Sequence, residues 1–356
     1  MPEAELEPAR HASSYGPSAR LLGRLGDIGK KDIETLLVGF EQFQYSRAMK
    51  YAFDIPQFGA YSQPRLLAQL AHEAEDAGWD GFFLWDHIQV SWPDAVSDPW
   101  IAMAAMAMAT SRILLGPIVT PLYRRHPWKL ARETVTLDHL SGGRVVLGVG
   151  LGDDIFGEIR TFDGPMDPRT RAEMLDEGLA VLLGLWSAEK FSFEGKHYAI
   201  RDAQFLPAPV QKPRIPIWVA GRWPRKPPFR RAARFDGTFP ISGDIETPLT
   251  ASQARDLVTF IKSVRTSDTP FDVIQSGKTA GENPAQDRVI VASYEEAGAT
   301  WWFESRVPWQ SSVEEVRKRI RMGPPRCDAS LGVSFPAHSE KCDWFSAVGL
   351  AEVCSG

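Results

Sequence analysis

From Met49 onward, apolar and polar positions follow two alternating periods. Short apolar runs read as buried strands, and stretches with apolar residues every three or four positions read as helices. Tyr51 to Gln57 is the first predicted strand. Pro64 opens a helix carrying Leu66, Leu67, Leu70, Ala71 and Ala74 on its apolar side, and Gly78 ends it. Strand two is Gly81 to Trp85, followed by a helix of small and sulfur-bearing residues at 100–109. Strand three is Ile113 to Val119. Pro127 then starts a helix that stops at Gly142 and Gly143. Strand four is Val145 to Val149, and Arg169 to Trp186 forms a helix with Met174, Leu175, Leu179, Leu182 and Leu183 at helical spacing. Strand five is Ile217 to Ala220, and a short helix around 225–234 leads to strand six, Gly237 to Ile241. Two further helix–strand units place strand seven at Phe271 to Gln275 and strand eight at Ala299 to Phe303. Ser312 and Glu315 form a capping box for the last helix, which ends near Gly323. This alternation predicts one α/β domain over 49–325, a (β/α)8 TIM barrel with insertions near its carboxyl-end face.

Two stretches interrupt the pattern. KFSFEGKHYAI and the Pro-rich run after it, within 187–216, are too long for a plain connection. They read as a small hairpin and an extended segment beside the barrel mouth. Residues 277–287 are a polar Gly/Asn/Pro loop. Residues 1–48 read as an extension, either a start upstream of Met49 or a capping helix through Ile33, Leu36, Leu37 and Phe40. After GPP the segment 326–356 has no clear period and reads as an irregular tail.

Composition narrows the class. Hydrophobic residues are 44% and charged residues 24% of 356, an ordinary globular balance. The formal net charge of −5 gives no basic surface for nucleic acid. No apolar run is long enough to span a membrane and no secretory signal opens the chain, so a cytoplasmic location is expected. The three cysteines, Cys327, Cys342 and Cys354, all fall in the tail, and with His338 they match no metal-site spacing. No metal site is expected; Asp153, Asp154 and Glu158 lack a ligand cluster.

Barrel chemistry sits where strands end. Strand two ends in Asp86 and His87, two polar groups after an apolar run. An imidazole suits proton transfer near neutrality; the bland alternative is a helix cap and a hydrogen-bonded histidine. Strand three ends in GPIVTP, where Pro117, Ile118 and Val119 form a stiff wall. Strand four ends in GVGLGDD, and glycines there permit close approach of a phosphate or flat ring. Strand five ends in AGRWPRKP, where Arg222, Arg225 and Lys226 suit a phosphate anchor or form a solvated basic turn. His126 reads as a helix-start residue, and His72 and His139 as surface or packing residues.

With these residues in view, the chain resembles the bacterial-luciferase-like family of flavin- and F420-dependent oxidoreductases. ARETVTLDHLSGGRVVLGVGLG (131–152) is the most specific stretch. EDAGWDGFFLWDH, SRILLGPIVTPLYRRHP, PIWVAG, RRAARFDGTFPI and EAGATWWFE add to it. The resemblance implies coenzyme F420 or FMN across the barrel mouth and a small-molecule substrate. It places Asp86 and His87 at the catalytic position, with His87 near the reacting ring atom. It assigns Pro117, Ile118, Val119, Gly150, Leu151, Gly152, Gly221, Arg222 and Trp223 to the cofactor, with a non-proline cis peptide within Pro117–Val119. F420-dependent hydride transfer is the favoured reading, because three basic side chains suit a more anionic tail. A reduced-FMN monooxygenase, served by a reductase, and an inactive flavin-binding protein are the alternatives. A homodimer through the 100–109 helix is also expected.

Overall fold

The computed structural model describes residues 49–243 and 247–326. The expectations for 1–48 and for Cys327, His338, Cys342 and Cys354 lie outside the described residues. The strands are β1 (Lys50–Ile55), β2 (Gly81–Leu84), β3 (Leu114–Pro117), β4 (Thr120–Pro121), β5 (Leu147–Gly150), β6 (Phe191–Glu194), β7 (Ala199–Ala203), β8 (Ile217–Arg222), β9 (Gly237–Ile241), β10 (Asp272–Gly277) and β11 (Trp301–Ser305). Nine of them form one parallel sheet in the order β3-β2-β1-β11-β10-β9-β8-β5-β4. β3 and β4 are the two halves of one strand, separated by the cis peptide Ile118–Val119. The barrel closes between them and the fourth position through a parallel bridge, Leu115 to Val145, with Val146 N donating to Leu115 O at 2.9 Å. The expected eight strand positions are all present.

The helices are α1 (Pro64–Asp76), α2 (Pro99–Ala109), α3 (Pro127–Ser141), α4 (Glu158–Thr161), α5 (Pro168–Trp186), α6 (Lys226–Ala232), α7 (Ala251–Val264), α8 (Pro284–Glu295) and α9 (Val313–Arg321). Pro occupies the first turn of six of them (α1, α2, α3, α5, α6 and α8), where its missing N–H costs nothing. α9 carries the expected Ser312–Glu315 capping box. Strand eight begins at Trp301 rather than Ala299. Gly298 at φ +96° and the Ala299 N–Tyr294 O bond still belong to the turn that ends α8. Among the described residues no helix is long and apolar enough to cross a membrane.

Strand alternation divides the core into two shells. Phe83, Ile118, Val146, Trp218, Ile274, Trp301 and Phe303 pack inside the barrel, whereas Trp302 packs in the helix layer, as the Trp301–Trp302 alternation predicts. Continuing that alternation upward puts Gly148, Gly150, Ala220, Ser276 and Ser305 inside at the carboxyl ends. Large aromatic rings fill the floor, and glycine, alanine and serine at these inward positions carry little side-chain bulk at the mouth.

The β6–β7 hairpin forms as expected, and its contacts lie along the helix layer rather than beside the mouth. Glu177 of α5 accepts hydrogen bonds from the backbone N–H groups of Lys196, His197 and Tyr198, and Asp138 of α3 accepts from Val210 and Gln211. The insertion is therefore tied to the outer helix layer. Its unpaired N–H groups are satisfied there by helix carboxylates.

Candidate active site

β2 presents Trp85 inward, Asp86 outward and His87 above the strand ends. Trp85 Nε1 donates to Asp54 Oδ1 at 2.7 Å, inside the barrel. Asp86 faces the opposite way and is buried. Its carboxylate accepts from Thr120 Oγ1 at 2.7 Å, Trp100 Nε1 at 3.2 Å and Arg125 Nη2 at 3.3 Å, and from Arg124 Nη2. Burial alone would raise its pKa, but the Arg124 and Arg125 guanidinium groups and the Thr120 hydroxyl outweigh burial and hold it below the usual range. Asp86 is thus an ionised anchor enclosed by protein, not a second polar group open to the mouth.

His87 is placed by residues distant in sequence. Its Nδ1 lies 2.7 Å from Glu158 Oε2, with the two side chains 21% and 3% exposed. Glu158 Oε1 accepts from Ile88 N at 2.6 Å and from Arg124 Nη1 at 2.9 Å. Burial opposes the charge on Glu158, yet the His87, Ile88 and Arg124 donors bring its pKa below the normal value. An ionised Glu158 can only accept, so Nδ1 of His87 carries the proton and Nε2 bears the lone pair in the neutral ring. Phe156 touches the imidazole edge-on at 4.7 Å between centroids, and Gln57 Nε2 donates to the His87 carbonyl at 2.6 Å.

Sequence reading set Glu158 aside as a weak metal candidate and singled out neither Arg124 nor Thr120. The signal for Glu158 was faint, since it sits 71 residues from His87 on a four-residue helix. A buried carboxyl at the end of β1 was missed altogether. Asp54 is 2% exposed, and burial pushes its pKa up to about 7 against hydrogen bonds from Trp85 and Ser305.

The other expected contacts divide into two groups. Pro117, Ile118 and Val119 meet the carboxyl end of β5. A Cβ on Gly150 would come 2.8 Å from Val119 Cγ2, so glycine is what allows this approach. Gly152 adopts φ +72°, and a side chain there would meet Tyr123 and Pro121; Leu151 between them is half-buried. At the fifth barrel position Ala220 and Arg222 face inward. Gly221 faces α6, where a Cβ would lie 2.3 Å from Pro228. Trp223 packs against Phe229 and Phe260, with Lys226 Nζ 3.6 Å above its ring. Gly221 and Trp223 therefore serve the packing of α6 and α7. Arg222 pairs with Asp153 at 2.7 Å. Arg222 and Lys226 of this loop are drawn to different partners, the Asp153 carboxylate and the Trp223 ring.

The small residues and unpaired polar atoms at the strand ends suit a flat ring with polar edges. Glycine and alanine lie on the β5 and β8 side. Two buried polar atoms near the strand ends, Gln57 Oε1 and Ser276 Oγ, have no hydrogen-bond partner among the described residues. Buried polar atoms of this kind call for a partner. Ile118, Val119, Gly150 and Ala220 would border the ring, and Arg222 would reach a tail.

The luciferase-like monooxygenase family matches residues 49–298. The chain is 33% identical over 182 residues to an F420-dependent glucose-6-phosphate dehydrogenase of Microbacterium testaceum, covering 49% of this chain and 51% of that protein. It is 35% identical over 165 residues to an F420-dependent hydroxymycolic acid dehydrogenase of Mycobacterium tuberculosis, covering 45% and 44%. The chain thus spans about half the length of the curated relatives it matches. A monooxygenase of Streptomyces bottropensis shares the fold at a TM-score of 0.63 with 20% identity, covering 77% of this chain and 97% of that one. The strand-by-strand barrel and the family match over 49–298 agree: the chain belongs to the luciferase-like monooxygenase family.

Proposed function

We propose that this protein is an F420-dependent oxidoreductase that transfers a hydride to or from a small organic substrate, with His87 as acid/base. The observation that carries the reading is the orientation of His87. An ionised, buried Glu158 fixes Nδ1, Arg124 fixes Glu158, and Asp86 anchors Arg124. Nε2 is then left to the mouth. When bound, the cofactor supplies the ring carbon that exchanges a hydride. In the oxidising direction His87 Nε2 takes the proton of a substrate hydroxyl, and in the reducing direction it returns it. Glu158 stabilises the imidazolium that forms. Pro117, Ile118, Val119, Gly150, Leu151 and Gly152 would hold the ring and Arg222 the tail. The names of the relatives favour F420.

A reduced-FMN monooxygenase, with a reductase supplying the cofactor, is the competing reading. The Arg222–Asp153 pair favours it, because it cancels charge that an anionic tail would use. Absorbance titrations of the full chain decide between them. F420 should bind at about 10 μM or tighter and FMN at least about tenfold more weakly. The reverse order would favour the monooxygenase, and binding of neither an inactive member.

A homodimer in the cytoplasm belongs to the same proposal. Ile101, Ala104, Ala105 and Met108 recur at helical spacing on the outward face of α2; Ile101 is 67% and Met108 70% exposed. Sedimentation at micromolar concentration should show a dimer that Met108→Lys dissociates. A monomer in the unsubstituted chain would end this part of the proposal.

A further inference from the structure

Loops from three different strand ends build an aromatic pocket beside His87. Trp92 follows β2, Phe156 follows β5, and Trp309 follows β11. Together with Gly59 and Pro308 they enclose a cavity of ≈ 560 Å³ that is open to solvent. Trp92 stands perpendicular to Phe156 at 5.6 Å and to Trp309 at 6.2 Å, so the rings form adjoining walls. Phe58, fully buried, backs the walls, stacked on Trp309 at 6.1 Å and edge-on to Phe156 at 5.7 Å. Phe156 is the shared element, since its ring also touches the His87 imidazole. Trp92 is 40% and Trp309 54% exposed. Large aromatics left this exposed around a concavity mark a surface that gains by being covered.

The charge of the lining is as informative as its shape. Among the described residues Asp94 is the one charged residue lining the pocket; its carboxylate accepts from Trp92 Nε1 at 3.3 Å and from Ala95 N at 2.8 Å. No lysine or arginine lines it among the described residues. The neighbouring arginines are committed elsewhere, Arg124 to Asp86 and Glu158, and Arg306 to Glu304. An anionic ligand would meet a carboxylate and the negative faces of aromatic rings, with no cation among the described lining residues to offset them.

We infer that this pocket receives the substrate and selects flat apolar molecules without an anionic group, carrying the reacting hydroxyl or carbonyl toward His87. The inference rests on the oxidoreductase reading for the word substrate, but the binding preference stands on the pocket alone. It separates this chain from the glucose-6-phosphate dehydrogenases it resembles, whose named substrate is a phosphate ester. Trp92 and Trp309 supply the contact area, and Asp94 sets the discrimination against anions.

Calorimetric titration of the full chain with 2-naphthalenemethanol, 2-naphthoate and glucose 6-phosphate tests this directly, because the first two share a ring system and differ in charge. The alcohol should bind about fivefold or more tightly than the carboxylate, and glucose 6-phosphate should not compete with it. Trp309→Ala and Trp92→Ala should each weaken the alcohol by about tenfold, with thermal melts unchanged because both side chains are solvent-exposed. Asp94→Asn should narrow the gap between alcohol and carboxylate to about twofold. Equal or tighter binding of the anion, or indifference to both tryptophan substitutions, would overturn the inference. Displacement of the alcohol by F420 or FMN would also overturn it, by making the pocket the seat of the cofactor. Failure of cofactor binding with the probe results intact would instead strike only the oxidoreductase reading.

Discussion

The two charged clusters at the barrel mouth are built in opposite ways. On the β2 side, Asp86 and Glu158 are buried and each is bonded by Arg124, with Thr120, Trp100 and Ile88 completing their shells. On the β8 side, Arg222 meets Asp153 with the two side chains 27% and 49% exposed, and Lys226 lies over Trp223. The first cluster is enclosed in low dielectric, where charges interact strongly and geometry is fixed. The second is partly solvated, so its ion pair is weak and its side chains can be re-aimed. In the proposed function the enclosed side would orient His87 and the adaptable side would meet the cofactor tail.

The comparison breaks most readily at Asp86. Asp86→Ala would leave two arginines facing a buried void, and the loss in urea unfolding should be about 3–5 kcal/mol. Because the pKa of Asp86 is depressed in the fold, its stabilisation is present above the unfolded carboxylate pKa and is lost as pH falls through the lower folded value. The difference in stability between the native chain and Asp86→Ala should therefore shrink only at acid pH. A difference that persists below that range would show that packing, not charge, accounts for it.

His87→Asn keeps polarity and removes proton transfer. Single-turnover rates should fall by about 100-fold or more, equivalent to about 2.7 kcal/mol, while cofactor affinity changes less than about tenfold. An unchanged rate would exclude His87 as acid/base, and lost cofactor binding would recast it as a binding contact. Glu158→Gln should lower the rate less and shift the pH profile, since the imidazolium loses its counter-charge; an unmoved profile would deny it that role.

Asp54 sharpens the contrast as a buried carboxyl without a cation. With burial pushing its pKa up to about 7 from an ordinary 3.8, the native state holds the proton more tightly. Stability should fall by about 4 kcal/mol as pH rises from about 4 to about 7, and Asp54→Asn should remove that slope and be the more stable protein at pH 8. Parallel slopes in the two proteins would refute the assignment. The smallest effect is expected at Arg222. Arg222→Ala should weaken cofactor binding by about fivefold or less, with a reduced salt dependence. A hundredfold loss would move the β8 side into the class of the enclosed cluster.

Legibility followed the range of the interactions. The helix starts at Pro64, Pro127 and Ser312 and the strand at Gly237–Ile241 were readable, because prolines, caps and apolar runs act within a few residues. The split of Trp301 from Trp302 was readable too, since alternation is a property of the strand itself. The expectation of a cis peptide within Pro117–Val119 came from family resemblance, and the bond lies at Ile118–Val119. The insertion was readable as a hairpin and an extended segment but not in its position, because Glu177, which receives the hairpin's N–H groups, and Asp138, which receives those of Val210 and Gln211, lie on distant helices.

The sequence by itself determined the eight-position barrel, the placement of His87 at a strand end and the glycine-rich edge at Gly150 and Gly152, all set by local periodicity and backbone demands. Tertiary structure alone decided which polar groups became partners. Asp86 turned outward to Arg124 and Thr120, Glu158 came to His87 from 71 residues away, and Trp223 turned into the helix layer instead of the mouth. Trp92, Phe156 and Trp309 likewise became one pocket only when the barrel closed. A buried charge or an open ring face is satisfied by whatever lies next to it in space, and in a barrel that neighbour is fixed by strand order, not by distance along the chain.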